Sequence, residues 1–228
     1  MRLMTSIAFD VRYQFRHGFY AAYALISIIY ILILISIPEQ WMDTIFTLII
    51  FSDPSFLGAF FVGGIVLLEK GDHILDNLFV TPYTIHEYLL SKALSLALLT
   101  ILSTLIIKWT VLGFRLEWFF LTGMVLTSMF FTLLGIVIGA KVDTLNQYLL
   151  LSSVYVTPFA LPILLFFEVV DWNWIKIIPS YASLLLIDRQ LSIPEALASL
   201  LYLCLSIILL LSYTYRCFHH NVVLKKKG

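Results

Sequence analysis

The stretch Leu67-Leu68-Glu69-Lys70-Gly71-Asp72-His73-Ile74-Leu75-Asp76-Asn77-Leu78-Phe79-Val80-Thr81-Pro82 decides how this chain is read. Glu69, Lys70, Asp72, His73, Asp76 and Asn77 crowd a short segment set between two long apolar ones. Ile74, Leu75, Leu78 and Phe79 recur at i, i+4 spacing, which draws an apolar stripe along a polar helix. Asp72 suits the start of such a helix, and Pro82 ends it. A helix this polar has no place in hydrocarbon. The spacing therefore predicts a surface helix over 69–82, flanked by membrane-embedded segments.

The composition agrees. Of the 228 residues, 61% are hydrophobic and 12% charged, about half the charged fraction of an ordinary globular domain. A mean hydropathy of +0.98 is that of an integral membrane protein. The formal net charge of zero points away from nucleic acid. Cys204 and Cys217 share no metal-ligand spacing with a histidine, and no His-Glu-x-x-His occurs, so no metal site is expected. There is no Gly-x-x-x-x-Gly-Lys phosphate cradle and no nucleophile near a membrane-depth histidine, so no catalytic or cofactor-binding residue is expected and the chain reads as a non-enzyme.

The apolar runs set the architecture: an all-α integral membrane protein forming one domain over 1–228, with six transmembrane helices. Crossing a bilayer takes about 20 apolar residues. Residues 1–17 precede the first crossing as an amphipathic interfacial helix. Leu3, Met4, Ile7, Ala8, Val11 and Phe15 lie on one face, with Arg2, Thr5, Arg12, Arg16 and His17 on the other. This N-terminus is not a signal peptide, because the apolar run behind Arg12 and Arg16 is too long. The crossings are expected at about 19–37, 54–68, 87–107, 118–140, 148–167 and 195–215. Asp53 and Pro54 break the second apolar stretch, with Asp53 as N-cap and Pro54 in the first turn of the new helix. Residues 44–52 and 180–189 are too short to cross and read as re-entrant segments. Capping-box spacing recurs at Thr84/Glu87, Thr144/Gln147 and Ser192/Glu195. Pro158 and Pro162 should kink the fifth crossing. Gly135 and Gly139 form a GxxxG pair, a flat patch for helix packing or dimerisation.

Of the 14 Lys and Arg residues, ten fall on one side of this layout and four on the other. The positive-inside rule then places both termini and the 69–82 helix in the cytoplasm, and the re-entrant segments outside.

Together these features resemble the ABC-2 type permeases, and within them the fluoroquinolone-export-permease-like group. The residues that carry the resemblance are Asp53-Pro54, the Gly58–Leu68 helix, Glu69-Lys70, Leu75, Leu78-Phe79-Val80-Thr81-Pro82 and Glu87-Tyr88-Leu89-Leu90-Ser91-Lys92. One departure is that the second acid of the loop is Asp76 rather than a glutamate. The resemblance implies the permease subunit of an exporter in the plasma membrane, moving a hydrophobic or amphipathic substrate, as in multidrug efflux. It implies a second permease copy, as homo- or heterodimer, and a separate ABC ATP-binding subunit that carries ATP and Mg; this chain holds neither. Glu69, Lys70, Asp72, Leu75, Asp76, Leu78, Phe79, Thr81 and Pro82 would form the coupling helix that docks on that subunit. Arg12, Phe15 and Arg16 would belong to a connecting helix beside it. The alternative is an ion-coupled secondary transporter built on Asp53 beside the broken helix.

Overall fold

With no water in hydrocarbon, a membrane-embedded chain must satisfy its backbone polar groups internally, and helices do so within each segment. The computed structural model describes residues 2–53, 57–75, 82–113, 117–188 and 191–224, and among them there is no strand. The helices are α1 (Arg2–Arg16), α2 (Phe19–Ser36), α3 (Glu39–Ser52), α4 (Gly58–Gly71), α5 (Ile85–Leu112), α6 (Trp118–Lys141), α7 (Leu145–Val156), α8 (Leu161–Phe166), α9 (Pro179–Ile187) and α10 (Ile193–Phe218). Among the described residues, five segments are long and apolar enough to cross a membrane: Phe19–Ser36, Ile85–Leu112, Trp118–Lys141, Leu145–Phe166 and Ile193–Asn221. The expected second crossing is not among them. Its helix, α4, has 14 residues, hence about 21 Å of length against a hydrocarbon core of about 30 Å.

Helix starts follow the local chemistry. Thr84 Oγ1 accepts from the Glu87 amide (3.2 Å), and the Glu87 carboxylate accepts from the Thr84 amide (2.9 Å). Glu195 does the same for the Ser192 amide (3.1 Å). At Thr144 only half the box forms, because Gln147 Oε1 accepts instead from the Asp143 amide (3.4 Å). Gly18, at φ 79°, makes the turn between α1 and α2, a backbone state that a β-carbon penalises. Pro158 interrupts the fifth apolar run: Thr157–Ala160 is a 3₁₀ turn between α7 and α8. Asp53 does not cap a new helix. It is itself helical (φ −59°, ψ −60°) at the end of α3, and its carboxylate is directed to α5. Pro54 lies outside the described residues.

Helix α6 is the centre. It packs against α4, α5, α9 and α10, and its residues from Phe130 to Ala140 are buried. α9, short and apolar, lies against α6, α10 and α3 with Ser180, Ala182, Ser183 and Leu184 buried. Small residues set the α4–α6 distance. A β-carbon on Gly135 would fall 2.4 Å from Val62 Cγ1 and 2.7 Å from the Ala59 carbonyl oxygen. One on Gly139 would lie 3.3 Å from Val66 Cγ1. The GxxxG pair is thus used inside the chain, for packing α6 on α4. Tyr148 of α7 lies over Gly63, and its hydroxyl donates to the Ala59 carbonyl.

The start of α1 and the last turns of α10 lie at one end of the bundle. His86, at the start of α5, stacks on Tyr215 of α10 with ring centroids 4.4 Å apart, and Arg2 donates to the Pro82 carbonyl (3.4 Å). At the other end Lys108 lies 3.7 Å from Glu117 and 4.1 Å from the centre of the Phe120 ring.

Gly63→Ala places a β-carbon 1.8 Å from Tyr148 Cζ and should lower stability by about 1–3 kcal/mol. Gly71→Ala, with nothing within 4 Å of the new carbon, should be neutral or slightly stabilising. Thermal unfolding of the two purified variants in detergent compares them directly.

Candidate functional site

The predicted surface helix begins later than its sequence suggests. Glu69 and Lys70 belong to the last turn of α4, which ends at Gly71, and Asp72 is its C-cap rather than the N-cap of a new helix. His73, at φ 55°, turns the chain out of α4 in a left-handed conformation uncommon for a residue with a side chain. Asp76, Leu78, Phe79 and Thr81 lie outside the described residues. Leu75 is buried, whereas Asp72 and Pro82 are exposed.

Glu69 is turned inward. Only 1% exposed, its carboxylate accepts from Lys92 Nζ through Oε1 and from the Tyr88 hydroxyl through Oε2 (2.7 Å). Lys92, also 1% exposed, forms a second ion pair with Asp10 of α1. One turn further along α1, Gln14 Nε2 donates to Ser95 Oγ of α5 (2.8 Å). Asp10, Lys92 and Glu69 therefore form a buried three-residue ionic cluster where α1, α4 and α5 meet. Lys92 Nζ also lies 5.3 Å from the Tyr88 ring centre, and Tyr88 packs on Phe218 of α10 (5.0 Å). Two carboxylates share one ammonium, so the fully ionised cluster has an excess negative charge. Asp10 Oδ2 has no hydrogen-bond partner among the described residues.

A cavity of about 310 Å³ opens beside the cluster, lined by Ser6, Phe9, Asp10, Glu69, Ile74, Tyr83 and Lys92 among others. It separates the body of α1 from the segment that follows α4. Burial, with Glu69 and Asp72 nearby, pushes the Tyr13 hydroxyl up to about 12 and keeps it protonated. Around the corner, Phe9, Arg12, Tyr13, Arg16, His17, Asp72 and Ile74 line a second, more polar hollow.

Lys70 has a different role from its neighbour. Its ammonium donates to the carbonyls of Gly139 (2.9 Å), Ala140 (3.3 Å) and Val142 (2.7 Å) and lies 3.7 Å from Asp143. These carbonyls end α6, where a cation meets both unpaired acceptors and the negative end of the helix dipole. The ends of α4 and α6 are fastened by one side chain.

In α1 the buried positions are Asp10, Tyr13 and Gln14, while Met4 (75% exposed) and Phe15 (72%) face outward. Met4, Ala8 and Phe15 of the apolar face expected from the sequence are exposed, Leu3, Ile7 and Val11 are half-buried, and a polar face packs on α5. Arg12 and Arg16 are exposed. The sequence pattern does not single out Asp10, and it marks Lys92 only as part of the family resemblance and as one of the ten basic residues on the cytoplasmic side. The available signal was a carboxylate on α1 together with a lysine well inside an apolar helix, which requires a partner.

A bundle with five membrane-length apolar helices, a lipid-ready amphipathic helix at its N-terminus and a buried ionic cluster near one end is a multi-pass membrane protein. The chain belongs to the fluoroquinolones export permease protein family, whose family model matches residues 1–226. Among similar proteins are the fluoroquinolones export permease proteins of Mycobacterium tuberculosis strains CDC 1551 / Oshkosh and ATCC 25618 / H37Rv. Each is 25% identical over 178 residues, covering 78% of this chain and 65% of the relative. The chain thus spans a little under two thirds of the length of these relatives.

Lys92→Met leaves two buried carboxylates without their cation and should lower stability by about 3–5 kcal/mol. Combining it with Asp10→Asn and Glu69→Gln should restore most of the loss. Chemical unfolding of the single and triple variants tests the cluster. An undiminished stability in Lys92→Met would show that the three side chains do not act together.

Proposed function

We propose that this chain is the permease subunit of an ATP-driven exporter of the ABC-2 type, moving a hydrophobic or amphipathic substrate across the plasma membrane. The observation that carries the reading is the buried cluster Asp10–Lys92–Glu69, which ties the surface helix α1 to the two helices flanking the 72–82 segment. Family membership supports the export role, and its relatives are named as export permeases. In this reading the membrane is crossed six times, with α3 and α4 together making the second crossing. The common location of the start of α1 and the last turns of α10 favours an even number of crossings. Both termini face the cytoplasm.

The ATPase is a separate subunit holding ATP and Mg, and the transporter contains a second permease copy. The segment after α4 docks on the ATPase through Asp72, Asp76, Leu78, Phe79, Thr81 and Pro82, and α1 lies beside it with Arg12, Phe15 and Arg16. Glu69, Lys70 and Leu75 do not reach out to the partner; they anchor the docking segment to the bundle. Closure of the ATPase pushes the segment, and α4, α5 and α1 respond together because one ionic cluster joins them. ATP shifts the permease between states only insofar as it favours one of them. Gradient-driven transport through Asp53 is the second reading, favoured by the complete burial of that carboxylate.

Two experiments test the proposal. A single-cysteine Asp72→Cys variant, with Cys204 and Cys217 replaced by serine, should react with a membrane-impermeant thiol reagent only from the cytoplasmic side; labelling from outside removes the docking role. Leu78→Asp with Phe79→Asp should reduce recovery of a co-expressed ATP-binding subunit at least about tenfold, the loss expected when interface anchors are truncated. Unchanged recovery with intact ATP-dependent export would reject it, and export that persists without ATP would favour the gradient-driven alternative.

A further inference from the structure

A second polar cluster lies between α2, α3 and α5, away from the first. Asp53 is 0% exposed. Its Oδ2 accepts from Ser103 Oγ (3.4 Å), and Ser103 in turn shares a hydrogen bond with Ser27 Oγ (3.0 Å). Among the described residues Asp53 Oδ1 has no hydrogen-bond partner, and no Lys or Arg forms an ion pair with it. A carboxylate buried at membrane depth without a counter-charge is costly, and such residues mark substrate and ion pathways more often than they mark packing.

The cluster is reached from the side. A crevice of about 330 Å³ runs between α2 and α5, with Ile28, Ile31, Leu99, Leu102 and Ile106 as walls. Tyr20 and Tyr23 present rings to it, and Ser27 with Ser103 forms the floor. The Tyr23 hydroxyl is buried near Thr100 and Asp53 without a well-formed hydrogen bond. Ser27 stands at the middle of α2, so this floor lies halfway along a membrane-length helix. Apolar walls, aromatic faces and an acid behind a hydroxyl floor suit one kind of guest. It has a body that partitions into lipid and a positive centre that the rings and the carboxylate stabilise.

We infer that the α2–α5 crevice is a lateral binding site for lipophilic cations, with Asp53 as the counter-charge and Ser27, Ser103 and Tyr23 as the polar floor. Such a guest enters from the bilayer rather than from water, and its charge moves toward Asp53 as its apolar body fills the space between the two helices. The inference deepens the transport reading by naming a ligand class. Binding itself needs neither ATP nor a partner, so its failure and the failure of the docking scheme are separate results.

The test uses the full-length chain in lipid nanodiscs and equilibrium dialysis with tetraphenylphosphonium, with tetraphenylborate as the same shape of opposite charge. The wild-type chain should bind the cation saturably and the anion at least about tenfold more weakly, a difference of about 1.4 kcal/mol or more. Asp53→Asn should weaken cation binding at least about tenfold, and Asp53→Glu should keep most of it. Ala24→Trp, at an exposed position on the crevice rim, should block binding by bulk with the acid intact. Thermal unfolding checks that each variant is folded, and if Asp53→Asn is not, Ala24→Trp decides. Absence of saturable binding by the wild type, equal binding of cation and anion, or unchanged binding in folded Asp53→Asn or Ala24→Trp overturns the assignment.

Discussion

The structure depends on how a lysine is kept charged inside an apolar bundle. Lys92 is out of reach of water and is held by Asp10 from one helix and Glu69 from another, with the Tyr88 hydroxyl completing the second carboxylate. A buried ammonium is tolerated only when its surroundings replace its hydration. That requirement fixes α1 against α5 and the end of α4 against both. A cluster of this kind adds little net stability, since desolvation offsets most of the attraction, but it discriminates sharply between arrangements that keep it whole and arrangements that split it. It therefore favours a bundle with few discrete packings over one that deforms gradually.

Around that junction the packing is made by size. α6 sits so close to α4 that Gly135 and Gly139 leave no room for larger side chains, and Tyr148 covers Gly63. Dispersion contacts between closely approaching backbones are what hold helices together where the lipid is as apolar as the side chains. The lipid-facing helices are different: α2 and α10 expose Leu25, Leu32, Leu201 and Leu209 among others. Such surfaces suit hydrocarbon.

Much of the helical layout was legible in the sequence. The capping pairs at Thr84/Glu87 and Ser192/Glu195 start helices where the spacing put them, and the interruption at Pro158 follows from a missing amide. The second crossing is the least legible: α4 has only 14 residues and is buried mainly by α6, and hydropathy along the chain does not tell a helix packed in protein from one that faces lipid. The inward face of α1 was hidden for a related reason. Its apolar stripe is at most half-buried, and the residues buried against the protein are Asp10, Tyr13 and Gln14, of which Asp10 and Gln14 are bonded to α5. Glu69 looked like part of a surface helix because its neighbours in sequence are polar. Its true partner, Lys92, lies beyond the loop, a proximity that no local pattern encodes.

The attachment of Lys70 to the last carbonyls of α6 has a mechanical consequence. A force applied to the chain just beyond Gly71 acts on two helices at once, since the ammonium anchors the tip of α6 to the tip of α4. The chain leaves that tip at once for α7, whose Tyr148 is itself seated on Gly63. The three helices thus form a yoke, in which a load entering at a single turn is divided among them.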